Sequence, residues 1–199
     1  MSPSHTFHVY KESGGRSLNV NLLDNDDKTP AYRLQYSPDS TPKKKRGISI
    51  IRLGGSKSKS SSGTIIGTIS HHSFSSKLDF TVQNHSTTME PNGTFKTGGF
   101  FTSTFPGAGV LTWEKEGMFS DHLVLVDRKG TKFARYAMAY FSSKKLGKLE
   151  ILMRPVPQQK VVDEIVVSGL AVLMELNGGT KGSHHRSMGG FGGGGSATG

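Results

Sequence analysis

The residues best equipped for chemistry in this chain are cationic. Between Asp39 and Asp79 the sequence holds no acidic side chain, yet Lys43, Lys44, Lys45, Arg46, Arg52, Lys57, Lys59 and Lys77 all fall there. That makes a local positive field in a chain whose formal net charge is already +10. Such a field attracts the phosphates of lipid or nucleic acid, or simply keeps a surface solvated. Its densest part, Pro42 to Arg46, has three readings: a short nuclear-import signal, a contact for anionic headgroups, or a solvated loop. Each basic residue close to an anionic bilayer contributes roughly 1 kcal/mol. Lys43, Lys44, Lys45, Arg46 and Arg52 are therefore the candidate ligand-binding residues, with anionic phospholipid as the favoured ligand.

No other group of side chains assembles a catalytic set. The chain has no cysteine, which excludes disulfides, thiol nucleophiles and thiolate metal sites. His71-His72 and His184-His185 are adjacent pairs, which lack metal-ligand spacing, and neither a Gly-x-Ser-x-Gly elbow nor an HExxH motif occurs. Gly54 to Gly63 is rich in Gly, Ser and Lys without Walker spacing, so it reads as a connector. Asp24-Asn25-Asp26-Asp27 lacks the Gly and closing Glu of a calcium loop and reads as a turn. The expectation is a non-enzymatic protein with no cofactor and no metal. Trp113, in an alternating segment, reads as core in preference to a ligand-stacking platform.

These residues must be positioned by something, and the chain is organised around Val161 to Leu176, its longest nearly unbroken apolar run. Pro155 and Pro157 precede it, and Asn177, Gly178 and Gly179 supply a left-handed cap after it. The spacing predicts a helix over about 158–177. Glu164, Ser168, Ala171 and Glu175 fall on one stripe, while every other face is Val, Ile, Leu or Met. A helix apolar nearly all round is buried on nearly all sides. Three alternatives compete: a buried strand over Val161 to Val167, a core helix on an open sheet, and a membrane span. About 16 residues at 1.5 Å each reach roughly 24 Å, short of the roughly 30 Å hydrocarbon core, and this argues against the span. The two glutamates are expected near the helix ends, reaching solvent.

Upstream the pattern has period two, the mark of half-buried strands. It recurs at Phe7 and Val9, at Leu18, Val20 and Leu22, at Tyr32, Leu34 and Tyr36, and through Ile48 to Leu53, Thr64 to Ile69 and Leu78 to Val82. The signal weakens between Gln83 and Gly109. It sharpens again as four candidate strands in VLTWEKEG, HLVLVDRKG, TKFARYAMAYF and GKLEILMR, whose short connections suit an antiparallel meander. Residues 177–199 are Gly-rich and poor in apolar side chains, and read as a disordered tail. The fold expected is mainly β: an antiparallel barrel wrapped around a buried C-terminal helix, in one domain over residues 1–176.

Trp113 in VLTWEKEG, the stretch FSDHLVLVD (Phe119 to Asp127), KFARY, LGKLEIL (Leu146 to Leu152) and DEIVVSGLAVL (Asp163 to Leu173) carry a resemblance. Together with the order of elements they resemble the tubby C-terminal-like superfamily, which includes tubby proteins, phospholipid scramblases and plant LURP-one-related proteins. The closer likeness is to a fungal branch of unknown function. The resemblance implies an antiparallel barrel enclosing a hydrophobic helix and a role at phosphoinositides or membranes; it carries no binding residue over. No cysteine-rich palmitoylation region of the scramblase kind is present.

The functional expectation is an intracellular binding module, cytoplasmic or nuclear, recognising anionic phospholipid headgroups through its basic segment. The N-terminus carries no apolar segment of the secretory type. The alternative is a protein-interaction scaffold whose basic loop is solvated or read for nuclear import. Nucleic acid is the weaker partner, because few aromatics interleave with the basic residues.

Overall fold

The structure is a computed structural model that describes residues 2–12, 20–36, 47–54, 63–71, 77–93, 98–117 and 120–178. Lys43, Lys44, Lys45 and Arg46 lie outside the described residues, as does the Gly-rich segment beyond Gly178.

The period-two segments form antiparallel strands. In chain order they are β1 (His5–Lys11), β2 (Val20–Leu23), β3 (Pro30–Tyr36), β4 (Ile48–Arg52), β5 (Thr64–His71) and β6 (Leu78–Val82). The second half comprises β7 (His85–Pro91), β8 (Gly99–Thr102), β9 (Val110–Lys115), β10 (Leu123–Asp127), β11 (Lys132–Met138) and β12 (Lys145–Ile151), followed by the helix α1 (Gln159–Gly178). Each strand pairs with its sequence neighbour, and β1 pairs with β12, so among the described residues twelve strands close into one barrel. Closure leaves no unpaired edge.

The barrel wraps the helix. Every residue from Val162 to Met174 is buried, and the helix meets the wall on several sides. Ser168 accepts a hydrogen bond from the Trp113 indole on β9, Gly169 lies against Leu149 on β12, and Val167 lies against Gly67 on β5. A β-carbon at Gly67 would collide with the Thr81 carbonyl and stand 2.9 Å from a Val167 methyl, so glycine lets the helix approach that wall. The strand reading of Val161 to Val167 and the open-sheet reading of the helix are thereby excluded, and no described helix is long and apolar enough to cross a membrane.

The weak stretch of sequence after Gln83 also resolves into strands. Gln83 and Asn84, with φ of 48° and 71°, form the two-residue turn of the β6–β7 hairpin, a conformation with positive φ at both positions that matches strand twist. Asp24 to Thr29 is a turn, as expected: Asp26 accepts hydrogen bonds from the Lys28 and Thr29 amides and the Thr29 hydroxyl.

Because every connection reverses direction, the barrel has two distinct ends. The start of α1, the end of β4 and the Gln83-Asn84 turn share one end, here called the helix-entry end. The β11–β12 hairpin, the end of β1, Tyr36 and Gly47 share the other, the exit end.

Candidate functional site

At the helix-entry end the two carboxylates on α1 determine the structure. Asp163 is wholly buried and accepts four side-chain donors. Tyr32 Oη and Gln159 Nε2 donate to Oδ1 at 3.0 Å each, while Arg52 and Gln83 donate to Oδ2 at 2.8 and 3.1 Å. The same Gln159 amide donates to Tyr32 Oη at 2.8 Å. Burial, and then the Asp163 charge, push the Tyr32 phenol far above its ordinary range, so it stays a donor. Glu164, one residue on and about 100° round the helix, is held by the β8–β9 loop: Ser103 donates to Oε2 at 2.9 Å and the Thr104 amide to Oε1 at 2.8 Å. Burial nevertheless raises the Glu164 carboxyl above the usual glutamate range. Adjacent residues thus pin the helix to different sectors of the wall, which fixes both its rotation and its depth.

This corrects two expectations. Glu164 does not reach solvent; it is 1% exposed and satisfied by the wall. Arg52 ends β4 at the helix-entry end and is committed to Asp163, whereas Gly47, the first described residue after the Lys43–Arg46 segment, stands at the exit end. The physical reason is the buried carboxylate, which requires a counter-charge. Trp113 is core, as expected, with its indole N–H given to Ser168 at 3.1 Å. No α1 acid lies in the first turn, so specific partners, and not the helix dipole, account for the placement of Asp163 and Glu164.

Beside Asp163 an open cavity of about 240 Å³ penetrates the helix-entry end. Arg52 lies on one flank and Asp24, 2.9 Å from His5 Nε2, on the other; Phe7, Leu53 and Val162 supply apolar wall. Among the described residues no group of three or more His, Asp or Glu is arranged to hold a metal ion.

The exit end presents a different surface. The β11–β12 hairpin lifts Phe141 fully into solvent, with Tyr140 mostly exposed beside it. The tip is ordered: Ser142 Oγ accepts the Lys145 and Lys144 amides at 2.7 and 3.3 Å, and Tyr140 Oη donates to Asp121 at 3.0 Å. Lys11 and Lys144, both exposed, are joined by a backbone hydrogen bond of 2.7 Å. Lys145 is occupied otherwise, 3.3 Å from Asp27 and stacked over the Tyr10 ring. The strand expected to run through Tyr140-Phe141 ends instead at Met138, and the aromatic pair forms the tip. The signal available was the aromatic pair standing directly before Ser-Ser-Lys-Lys, a turn-forming and charged stretch.

Comparison with known proteins adds one family. Residues 16–176, more than half of the chain, match the group described as "Family of unknown function (DUF6593)". No curated protein and no solved structure gives a significant match.

Proposed function

We propose that this chain, which belongs to the DUF6593 family of unknown function, is a non-enzymatic module that docks on anionic phospholipid surfaces through the exit end of its barrel. One observation carries the reading. The fully exposed Phe141 stands beside the exposed Lys11 and Lys144, on the same end as Gly47, the first described residue after the segment holding Lys43, Lys44, Lys45 and Arg46. An exposed aromatic on an ordered tip, with the exposed Lys11 and Lys144 at the same end, suits the interface of a bilayer: the ring enters the acyl boundary and the lysines meet phosphates. Burying a Phe side chain is worth about 1.5–3 kcal/mol. Each basic residue adds roughly 1 kcal/mol near an anionic leaflet. Together these give measurable binding that persists at physiological salt, because the aromatic contribution is not screened.

The helix-filled barrel supports the resemblance to the tubby C-terminal-like superfamily, and we read the protein as a peripheral, intracellular member of that group. Co-sedimentation tests the function. Wild-type protein is expected to pellet with phosphoinositide-containing vesicles and not with neutral ones. Changing Lys43, Lys44, Lys45 and Arg46 together to Ala is expected to abolish pelleting at physiological salt. Equal behaviour of wild type and variant, or no pelleting at all, would remove the lipid reading and favour a protein partner at the same end.

A further inference from the structure

The cavity at the helix-entry end has no part in membrane docking, since it opens at the opposite end of the barrel. Its charges are arranged unusually. Arg52 faces the cavity with its side chain 36% exposed, and its counter-ion Asp163, 0% exposed, lies behind it. The ion pair therefore presents its positive end to the cavity. On the other flank Asp24, 41% exposed, presents a carboxylate beside His5. Between the flanks run Pro30, Ala31 and Tyr32, and the remaining wall is mostly apolar, with Thr29 and Gln159 as its polar members. In chain topology the two charges stand on opposite sides of β3, Asp24 just beyond β2 and Arg52 at the end of β4.

We infer that this cavity binds a small zwitterion, its anionic end on Arg52 and its ammonium end on Asp24, with an apolar body against Phe7, Leu53 and Val162. A simple anion fits poorly, because Asp163 already neutralises Arg52 and Asp24 adds a negative charge. A simple cation leaves the guanidinium facing an empty apolar space. A molecule carrying both charges, held apart by methylenes, satisfies each flank. The guanidinium suits a carboxylate or a phosphate, having several donors beyond the one given to Asp163. At about 240 Å³ the cavity lies below the roughly 300 Å³ of the smallest ordinary ligand sites, so the ligand is of amino-acid size.

Isothermal titration with three probes tests this: 6-aminohexanoate, hexanoate and hexylammonium. The zwitterion is expected to bind at least about tenfold tighter than either half-molecule, as two charge-assisted contacts exceed one. Asp24→Asn, which keeps a carbonyl for the Asn25 amide, is expected to reduce 6-aminohexanoate to the level of hexanoate. Val156→Trp, at an exposed lining position, is expected to fill the cavity and abolish binding while leaving Trp113 buried. Arg52 is left intact because its loss would orphan Asp163. Equal affinity for all three probes, no binding to wild type, or binding indifferent to both variants would overturn the assignment. A parallel titration with phosphoethanolamine, which is of amino-acid size and carries an ammonium, separates two sources of the same chemistry. Tighter binding than 6-aminohexanoate assigns the zwitterion to a lipid headgroup, and weaker binding to a free amino acid.

Discussion

Replacing Asp163 by Ala removes one carboxylate and orphans four donors. Tyr32 loses its acceptor inside the barrel, Gln83 and Gln159 lose theirs near the end, and Arg52 loses its counter-charge. Removing one partner of a buried ion pair costs about 3–5 kcal/mol. Arg52 is 36% exposed, so water recovers part of its solvation, which places the expected loss near the lower bound, about 3 kcal/mol. Against a total of about 5–15 kcal/mol, that is a large share. With a urea dependence of about 1–3 kcal/mol per molar, the midpoint should fall by roughly 1–3 M. Trp113, the sole tryptophan and wholly buried, reports the transition by fluorescence. A double variant, Asp163→Leu with Arg52→Met, leaves no orphaned charge and should recover at least half the loss, since apolar replacements of buried pairs are often neutral. If Asp163→Ala unfolds at the wild-type urea concentration, or the double variant is no more stable than the single one, the lock at the helix-entry end is not what holds α1 in place.

Other outcomes follow from single contacts. Gly67→Ala should lower stability by about 1–3 kcal/mol in urea titration, because its β-carbon meets the Thr81 carbonyl and a Val167 methyl. Trp113→Phe should cost about 1–3 kcal/mol: Ser168 loses its donor and the smaller ring leaves space beside Gly169. Burial raises the Glu175 carboxyl above its ordinary range. The folded chain therefore keeps a proton that the unfolded chain has released. Stability from this group is complete below the ordinary glutamate value and declines as pH rises through the raised one. Glu175→Gln should accordingly raise Tm at neutral pH and flatten its fall above about pH 4, the ordinary glutamate value; an unchanged Tm profile would contradict this.

The apolar run Val161 to Leu176 made the architecture legible, because a helix without a polar face admits few environments. Period-two alternation located most strands for the same reason: a wall between solvent and helix must alternate. What sequence left open was the partner of each polar residue inside. Glu164, Ser168 and Asp163 share a helix, yet their partners are Ser103, Trp113, Tyr32, Arg52 and Gln83, scattered over much of the chain. Only closure of the barrel brings them together, and no local pattern announces a pairing 131 residues apart such as Tyr32 with Asp163. Arg52 shows the cost. Read along the sequence it belongs to the basic run, whereas β4 carries it to the opposite end from Gly47 and gives it to a buried acid. The Phe141 tip was hidden differently: its apolar residues continue the rhythm of β11, and only the ordered turn at Ser142 separates them from it.

Membrane docking through the exit end is tested most directly by placing a reporter at the tip. In Phe141→Trp on a Trp113→Phe background, the only indole stands where Phe141 is fully exposed. Added anionic vesicles at physiological salt should shift its emission to the blue as the ring leaves water, and neutral vesicles should not. Emission that stays at its aqueous wavelength with both kinds of vesicle would contradict docking through this end of the barrel.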